Sequence, residues 1–344
     1  MWAMIVKEFR QVRRDHRTLA MMIVMPVVLL VVFGYAASFD TSSIPTIVGG
    51  PAASEVSARL PDLFEVERVD AAIDAEEATR ALQEGEAVVA LIADPAGGVA
   101  LVDGSELFSA RAAVQALTTG APQIEIDVLF NPGLDTSVVL VPGLAGLILL
   151  FIGTVITSLG VVRERQAGTL EQLAVMPLRP RDVFIGKVAP YFLVASIDLV
   201  IVLLVGSFVF DVPFNGSVGT LALGSVLFLF VTLGIGVLIS GVSENQGQAV
   251  QLALMTLLPQ VLLSGIIFPL ESMATAVRYI GYALPLTWFN QIARGVMVRG
   301  APLSSLLVPL GVLALFGVVV FGLAVIRFRR DLAASHTESV AVVA

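Results

Sequence analysis

Asp198 is the residue whose type and position most directly predict chemistry in this sequence. It lies about ten residues into an apolar run at 188–210, which would place it near the middle of a bilayer. A carboxylate there is costly unless it is paired, protonated or wetted. It therefore predicts either a functional group on a transport pathway or an interhelical hydrogen bond. Gln251 and Gln260, in the run at 249–268, are less costly candidates of the same kind.

The residue types that most often build metal and catalytic sites are almost missing. The sequence has no cysteine, which excludes disulfides and thiolate ligands, and its two histidines, His16 and His336, lie near the termini. No G-x-x-x-x-G-K-S/T motif exists, because the single Gly-Lys pair, Gly186-Lys187, lacks both the earlier glycine and the following Ser or Thr. We therefore predict no catalytic residue, no metal site and no cofactor in this chain.

A charged loop at 162–187 is the most informative polar segment. It begins with Arg163-Glu164-Arg165 at the end of an apolar run, and Thr169 with Gln172 three residues later fits a helix-capping pair. Met176-Pro177 would end such a helix. Two interpretations stay open on pattern alone: a solvated loop that carries arginines, or a short amphipathic helix beneath the membrane that docks into a cytoplasmic partner.

The elements that must position these residues are membrane-spanning helices. Hydrophobic residues make up 57% of the chain and charged residues 14%, against about 25% charged in soluble domains. Six apolar runs are long enough to cross a bilayer, which takes about 20 helical residues. We predict an α-helical polytopic membrane protein with spans at 19–38, 139–161, 188–210, 218–241, 249–268 and 305–326. The first run is too long for a cleaved signal peptide and is expected to stay as a helix.

Two segments between these runs have their own character. Residues 39–138 hold 17 acidic and four basic residues, and short strand patterns alternate there with helical ones, which predicts an inserted α/β domain. Residues 268–300 are apolar but interrupted by Pro269 and Pro285, which predicts broken or re-entrant helices. Residues 1–18 alternate apolar and basic faces, as an interfacial helix does.

The distribution of Lys and Arg predicts the orientation. Cations near span ends gather on the cytoplasmic side, and here they cluster before the first span, in the loop at 162–187 and in the tail at 327–344. All three clusters agree on a chain whose termini are both cytoplasmic and whose acidic α/β domain is extracytoplasmic. Arg278, Arg294 and Arg299 fall near the outer face in this topology, and we expect them to snorkel to the interface.

Several motifs occur together and in order along the chain. RERQAGTLEQLAVMPLRP is followed by Gly186-Lys187 and Pro190-Tyr191, and further motifs lie at Asn131-Pro132, Val141-Pro142-Gly143, Val212-Pro213, Ser264-Gly265, Phe268-Pro269-Leu270-Glu271-Ser272-Met273, Leu284-Pro285-Leu286-Thr287 and Arg294-Gly295. Over nearly its whole length the sequence resembles the ABC type-2 transporter permease family. The match is closest to the members with a large outer domain, which include multidrug and daunorubicin-type exporters. Met176 and Gln166 depart conservatively from the family pattern.

The resemblance implies a division of labour. Two permease copies, identical or paired with a sister, would form the pathway in the bacterial inner membrane, and two ABC ATPase subunits would hold the ATP and Mg²⁺. Residues 163–175 would be the coupling helix, and Pro269, Glu271 and Asn290 would help form an outer gate. The ATPase contacts would involve Arg163, Glu164, Arg165, Gly168, Thr169, Leu170, Glu171 and Gln172.

The expected function is export of a hydrophobic or amphipathic compound, with no nucleic-acid partner. Two other classes stay open. One is a membrane-anchored sensor whose acidic domain binds a ligand, and the other is an ion-coupled secondary transporter that uses Asp198 as its proton site. The second predicts paired internal repeats, which the sequence does not show.

Overall fold

The computed structural model describes residues 43–94, 97–120, 124–167 and 180–343. The predicted interfacial helix at 1–18 and first span at 19–38 lie outside the described residues. So do Gly168, Thr169, Leu170, Glu171 and Gln172, and with them most of the predicted coupling helix.

The N-terminal part of the described chain is a five-stranded sheet flanked by helices. Its strands are β1 (Ile44–Gly49), β2 (Phe64–Asp70), β3 (Val89–Asp94), β4 (Gly97–Asp103) and β5 (Ile124–Leu129), and its helices are α1 (Ala53–Ser57), α2 (Ala75–Glu84) and α3 (Leu107–Gly120). The strand order is β2-β1-β3-β4-β5. All neighbours are parallel except β3 and β4, which are antiparallel. The strand patterns of the sequence lie at 44–50, 64–70, 86–94, 98–104 and 124–130, and each of them coincides with one of these strands.

Both faces of this sheet are buried, which explains the long apolar runs in β1 and β3. Ile44 and Val48 of β1 pack in one cluster with residues of α1 and α3. Ile47, on the opposite face, packs with Ala78 and Leu82 of α2. Local signals set the ends of α2: the Asp74 carboxylate accepts a hydrogen bond from the Glu77 N–H, and Gly85 takes the left-handed conformation at the C-terminal end.

The rest of the chain is helical. Its elements are α4 (Thr136–Phe151), a π-helical turn (Ile152–Ile156), α5 (Thr157–Gln166), α6 (Pro180–Val209), α7 (Val218–Val242), α8 (Gln246–Leu263), a short 3-10 turn (Leu270–Ser272), α9 (Thr275–Tyr282), α10 (Pro285–Arg294), a second π-helical turn (Gly295–Arg299) and α11 (Leu307–Val343). Within the described ranges, four helices are long and apolar enough to cross a membrane: Thr136–Glu164, Ala189–Val209, Val218–Val242 and Leu307–Arg327. Helix α8 overlaps the predicted fifth span at 249–268 but ends at Leu263, and it is not one of the four.

Two helices extend past the spans that the sequence predicts. The helix of the second span continues beyond 161 to Gln166. Helix α11 continues into the predicted tail at 327–344 as far as Val343. The reason is the same in both places. Neither 162–166 nor 327–343 contains a Gly or Pro to break the helix.

Hydrogen bonds between loops show which helix ends lie together. At one end, the Asn215 side chain donates to the Val298 carbonyl at 2.8 Å, and Gln83 of α2 donates to the Gly300 carbonyl at 3.0 Å. At the other end, Gln246 donates to the Gln166 side chain at 3.0 Å. There the Arg327 guanidinium also donates to the Gly241 carbonyl at 2.9 Å. The bundle therefore has one end that carries the α/β region and an opposite end where Gln166, Gly241, Gln246 and Arg327 meet.

Two glycines let the helices of the bundle approach closely. Gly236 of α7 faces the Gly153 carbonyl in the first π-helical turn, and a Cβ atom at 236 would overlap that oxygen. Small residues at such crossings allow backbones to meet in a bilayer, where packing is a main source of helix association. Nearby, the rings of Phe228 and Phe289 stack with their centres 4.6 Å apart.

We predict that Gly236→Ala lowers the stability of the bundle by about 1–3 kcal/mol, because the new methyl group overpacks a contact with backbone. The measurement is the thermal unfolding midpoint of the purified protein in detergent. Gly311→Ala is the matched control, since a Cβ atom at 311 meets nothing within 4 Å. Equal midpoints for the two variants would contradict the proposed crossing.

Candidate functional site

A cluster of four buried or partly buried charges lies where the α/β region meets the broken helices. The Arg294 Nη1 atom lies 2.7 Å from Glu106 Oε2. The Arg299 Nη1 atom lies 3.4 Å from Asp103 Oδ2 and 3.9 Å from Glu106 Oε1. The two arginines and two carboxylates thus form a continuous network between segments that are almost 200 residues apart in sequence. We call these four residues the junction cluster.

The second π-helical turn places both arginines on one side of the chain. In an α-helix, residues five apart diverge by about 140°. The turn at Gly295–Arg299 closes instead with a hydrogen bond from the Gly300 N–H to the Gly295 carbonyl, which aligns residues five apart. Gly300 ends the turn with φ of 66°, a conformation that favours glycine.

The carboxylates of the cluster are held by the connection between β4 and α3. Asp103 is the last residue of β4, and one of its carboxylate oxygens accepts a hydrogen bond from the Ser105 N–H at 2.8 Å. Its side chain is fully buried, and this burial raises the pKa of Asp103, while the nearby Arg299 guanidinium acts in the opposite direction. Asp103 therefore accepts a proton more readily than an exposed carboxyl does.

The junction cluster corrects the expectation that Arg294 and Arg299 snorkel to the membrane interface. Their side chains are only 9% and 11% exposed. Isolated charges at such burial are strongly unfavourable, so the carboxylates of the α/β region are what allow the arginines to be there. Arg294 also donates to the Gly265 carbonyl at 3.3 Å, which links the cluster to the end of α8.

The polar residues predicted inside the spans lie on two different helices, α6 and α8. Asp198 is partly exposed on α6. Gln251 and Gln260 are nine residues apart on α8, on opposite faces of an ideal helix. The Gln251 side-chain oxygen is buried and makes no hydrogen bond within the described residues. Gln260 accepts from the Leu286 N–H at 3.4 Å and donates to the Thr256 carbonyl at 3.3 Å, so it joins α8 to the start of α10.

The residues predicted for an outer gate all fall in or beside the broken helices. Pro269 is buried, and Glu271 lies in the 3-10 turn. Asn290 is 4% exposed on α10, and its side-chain oxygen faces α4 at Gly143 without a hydrogen-bond partner in the described chain.

Three of the residues predicted to contact an ATPase are described. Arg163, Glu164 and Arg165 occupy the last turn of α5, and Arg163 is exposed. They lie at the end of the bundle opposite the junction cluster.

Sequence reasoning missed the junction cluster, because nothing local connects Arg294 and Arg299 with Asp103 and Glu106. One signal was available. The predicted topology puts these arginines on the side of the membrane that disfavours cations, together with the acidic domain.

We predict that Glu106→Gln destabilises the protein by about 1–3 kcal/mol, because it leaves two buried guanidinium groups short of a charged partner. Glu125→Gln is the control, since Glu125 is exposed on β5. Thermal unfolding in detergent measures both. If the Glu106 and Glu125 variants unfold at the same temperature, the cluster does not hold the two regions together.

Comparison with known proteins identifies the family of this sequence. The sequence profile of the ABC-2 family transporter proteins matches residues 16–326. The chain is 28% identical to the "Probable multidrug ABC transporter permease YbhS" of Escherichia coli K12 over 96% of its own length and 97% of that protein. It is 27% identical to the "Probable multidrug ABC transporter permease YbhR" of the same strain, over 88% and 91%.

A third relative matches a shorter part. The chain is 32% identical to the "Inner membrane transport permease YhhJ" of Escherichia coli K12 over 61% of its own length and 56% of that protein. The profile match covers most of the sequence, including the α/β region, the broken helices and the junction cluster. The chain is therefore a member of the ABC-2 family of transporter proteins, a family of integral membrane permeases.

Proposed function

We propose that this chain is the permease subunit of an ABC exporter that moves a hydrophobic or amphipathic compound out of the cytoplasm or inner leaflet. The observation that carries the proposal is the ABC-2 profile match over residues 16–326, in a sequence without a Walker A motif. The relatives whose names include "multidrug" match along nearly their whole length, which supports a similar cargo class. ATP and Mg²⁺ belong to separate ATPase subunits, and two permease copies form the pathway.

The proposed topology has six spans, with 19–38 as the first and α8 as the fifth. Both termini are cytoplasmic and the α/β region is extracytoplasmic. The two ends of the bundle support this arrangement. The turn at 211–217 and the α/β region share one end through Asn215 and Gly300, whereas Gln166, Gly241 and Arg327 share the other.

The structure offers a continuous route for the coupling motion. Helices α4 and α5, with the π-helical turn between them, form one helix from Thr136 to Gln166. The C-terminal end of this helix carries Arg163, at the start of the segment 163–175 on which the ATPase would act. Toward its N-terminal end, Phe289 and Leu286 of α10 lie against Gly146. A tilt of this helix would therefore move the broken helices that close the outer side.

The test is co-purification and export. We predict that the wild-type chain co-purifies with an ABC ATPase, and that Gly168→Pro and Glu171→Ala reduce ATP-dependent export at least about tenfold, a loss of roughly 1.4 kcal/mol in coupling. Membrane insertion should stay intact, because neither substitution lies in a predicted span.

Glu65→Ala, an exposed change on β2, is the control for expression and handling. Unchanged export by both loop variants would contradict the coupling segment. The absence of any co-purifying ATPase would overturn the proposed function as a whole.

A further inference from the structure

A cavity of about 330 Å³ lies beside the junction cluster, between the α/β region and the membrane helices. The segment that joins α2 to β3 and the ends of β4 and α2 form one wall. Helix α10 and the first turn of α11 form the other. The volume is within the range of small-molecule sites.

One wall of the cavity is rich in carboxylates. Glu84, Glu86, Asp103 and Glu106 line it, and Arg299 is the one basic residue among its lining residues. Asp103 and Glu106 are engaged by arginines in the junction cluster, and Glu86 lies 3.8 Å from Arg68. Glu84 makes no ion pair within the described part of the chain. The cavity wall therefore carries net negative charge.

The same wall holds a buried hydroxyl group without a hydrogen-bond partner in the described chain. Ser109 of α3 is 4% exposed and lines the cavity, yet its hydroxyl makes no hydrogen bond to any described residue. Gln291 of α10 lines the opposite side and is partly exposed, so its amide is open to a ligand. A buried hydroxyl group is normally satisfied, so Ser109 indicates a ligand or water in the cavity.

The other wall is largely apolar and adjoins the start of a helix long enough to span a membrane. Trp288, Leu306, Val308 and Pro309 line it. The Trp288 indole N–H is already used, because it donates to the Tyr282 carbonyl at 2.8 Å, so the ring offers only apolar surface and a π face. Val308 is 67% exposed in the first turn of α11, which starts a predicted span.

We propose that this cavity is an outer binding site for an amphipathic organic cation. The apolar body of the ligand rests on Trp288 and Leu306, its ammonium group lies toward Glu84 and Glu106, and Ser109 and Gln291 supply hydrogen bonds. The acidic α/β region raises the local concentration of cations at the cavity. This inference rests on the proposed function and narrows its cargo to amphipathic cations held at the outer face.

Dansylcadaverine, a fluorescent amphipathic amine, tests the site on the full-length chain in lipid nanodiscs without any ATPase. The chain has two tryptophans, so Trp2→Phe leaves Trp288 as the donor for energy transfer to the dansyl group. N-acetyl-dansylcadaverine has the same body without the charge. Energy transfer that saturates with probe concentration and is removed by excess octylammonium reports binding at the site. Transfer that remains under excess octylammonium reports partition of the probe into lipid.

We expect saturable transfer from Trp288, with the amine bound about tenfold more tightly than its acetyl derivative, since a charge-assisted contact is worth about that factor. Glu84→Gln should remove most of this preference, and Ser109→Val should weaken both probes. Glu125→Gln should change nothing, because Glu125 is exposed on β5 and pairs with Val99, at the end of β4 opposite Asp103.

Three results would overturn the site: no saturable transfer from Trp288, equal binding of amine and acetyl derivative, or a preference that Glu84→Gln leaves intact. None of them bears on whether an ATPase binds the opposite end of the bundle. The site and the proposed function can therefore fail separately.

Discussion

Two guanidinium groups held away from water are the constraint on which the arrangement of this protein depends. Arg294 and Arg299 follow directly from the broken helices, and burial there is tolerable only because Glu106 and Asp103 approach from the sheet. The α/β region is therefore not a separate body on a tether. It supplies the carboxylates that pair with the two arginines of the helical part. Gln83 adds a hydrogen bond to the Gly300 carbonyl beside the cluster.

The bilayer imposes the second constraint. Backbone groups within it must be paired in helices, and irregular backbone is tolerated only where protein covers it. Helix α10 of the broken segment meets this condition, because Gln260 accepts one of its backbone N–H groups and the helix packs against α4 and α7. The same coverage places the gate candidates Pro269 and Asn290 in buried positions, next to the junction cluster.

Much of the fold was predictable from the sequence, because its determinants are local. Alternating runs bounded by Gly and Asp placed all five strands, and apolar length placed the long helices. What the sequence did not predict was either a long-range contact or the position at which a helix stops. The ends at Gln166 and Val343 lie beyond the apolar runs, because charged residues continue a helix as well as apolar ones do. The pairing of Arg294 with Glu106 spans 188 residues, and no local pattern in the sequence specifies which carboxylate pairs with which arginine.

The central claim is that the sheet and the basic helix ends face opposite sides of the membrane. The chain has no cysteine, so single introduced thiols report topology without background. Glu65→Cys on β2 and Glu244→Cys in the turn after α7 are both exposed positions. A membrane-impermeant maleimide should label Cys at 65 in cells with a permeable outer envelope and an intact inner membrane, and should label Cys at 244 only after the inner membrane is opened. Labelling of both from outside, or of 244 alone, would contradict the account.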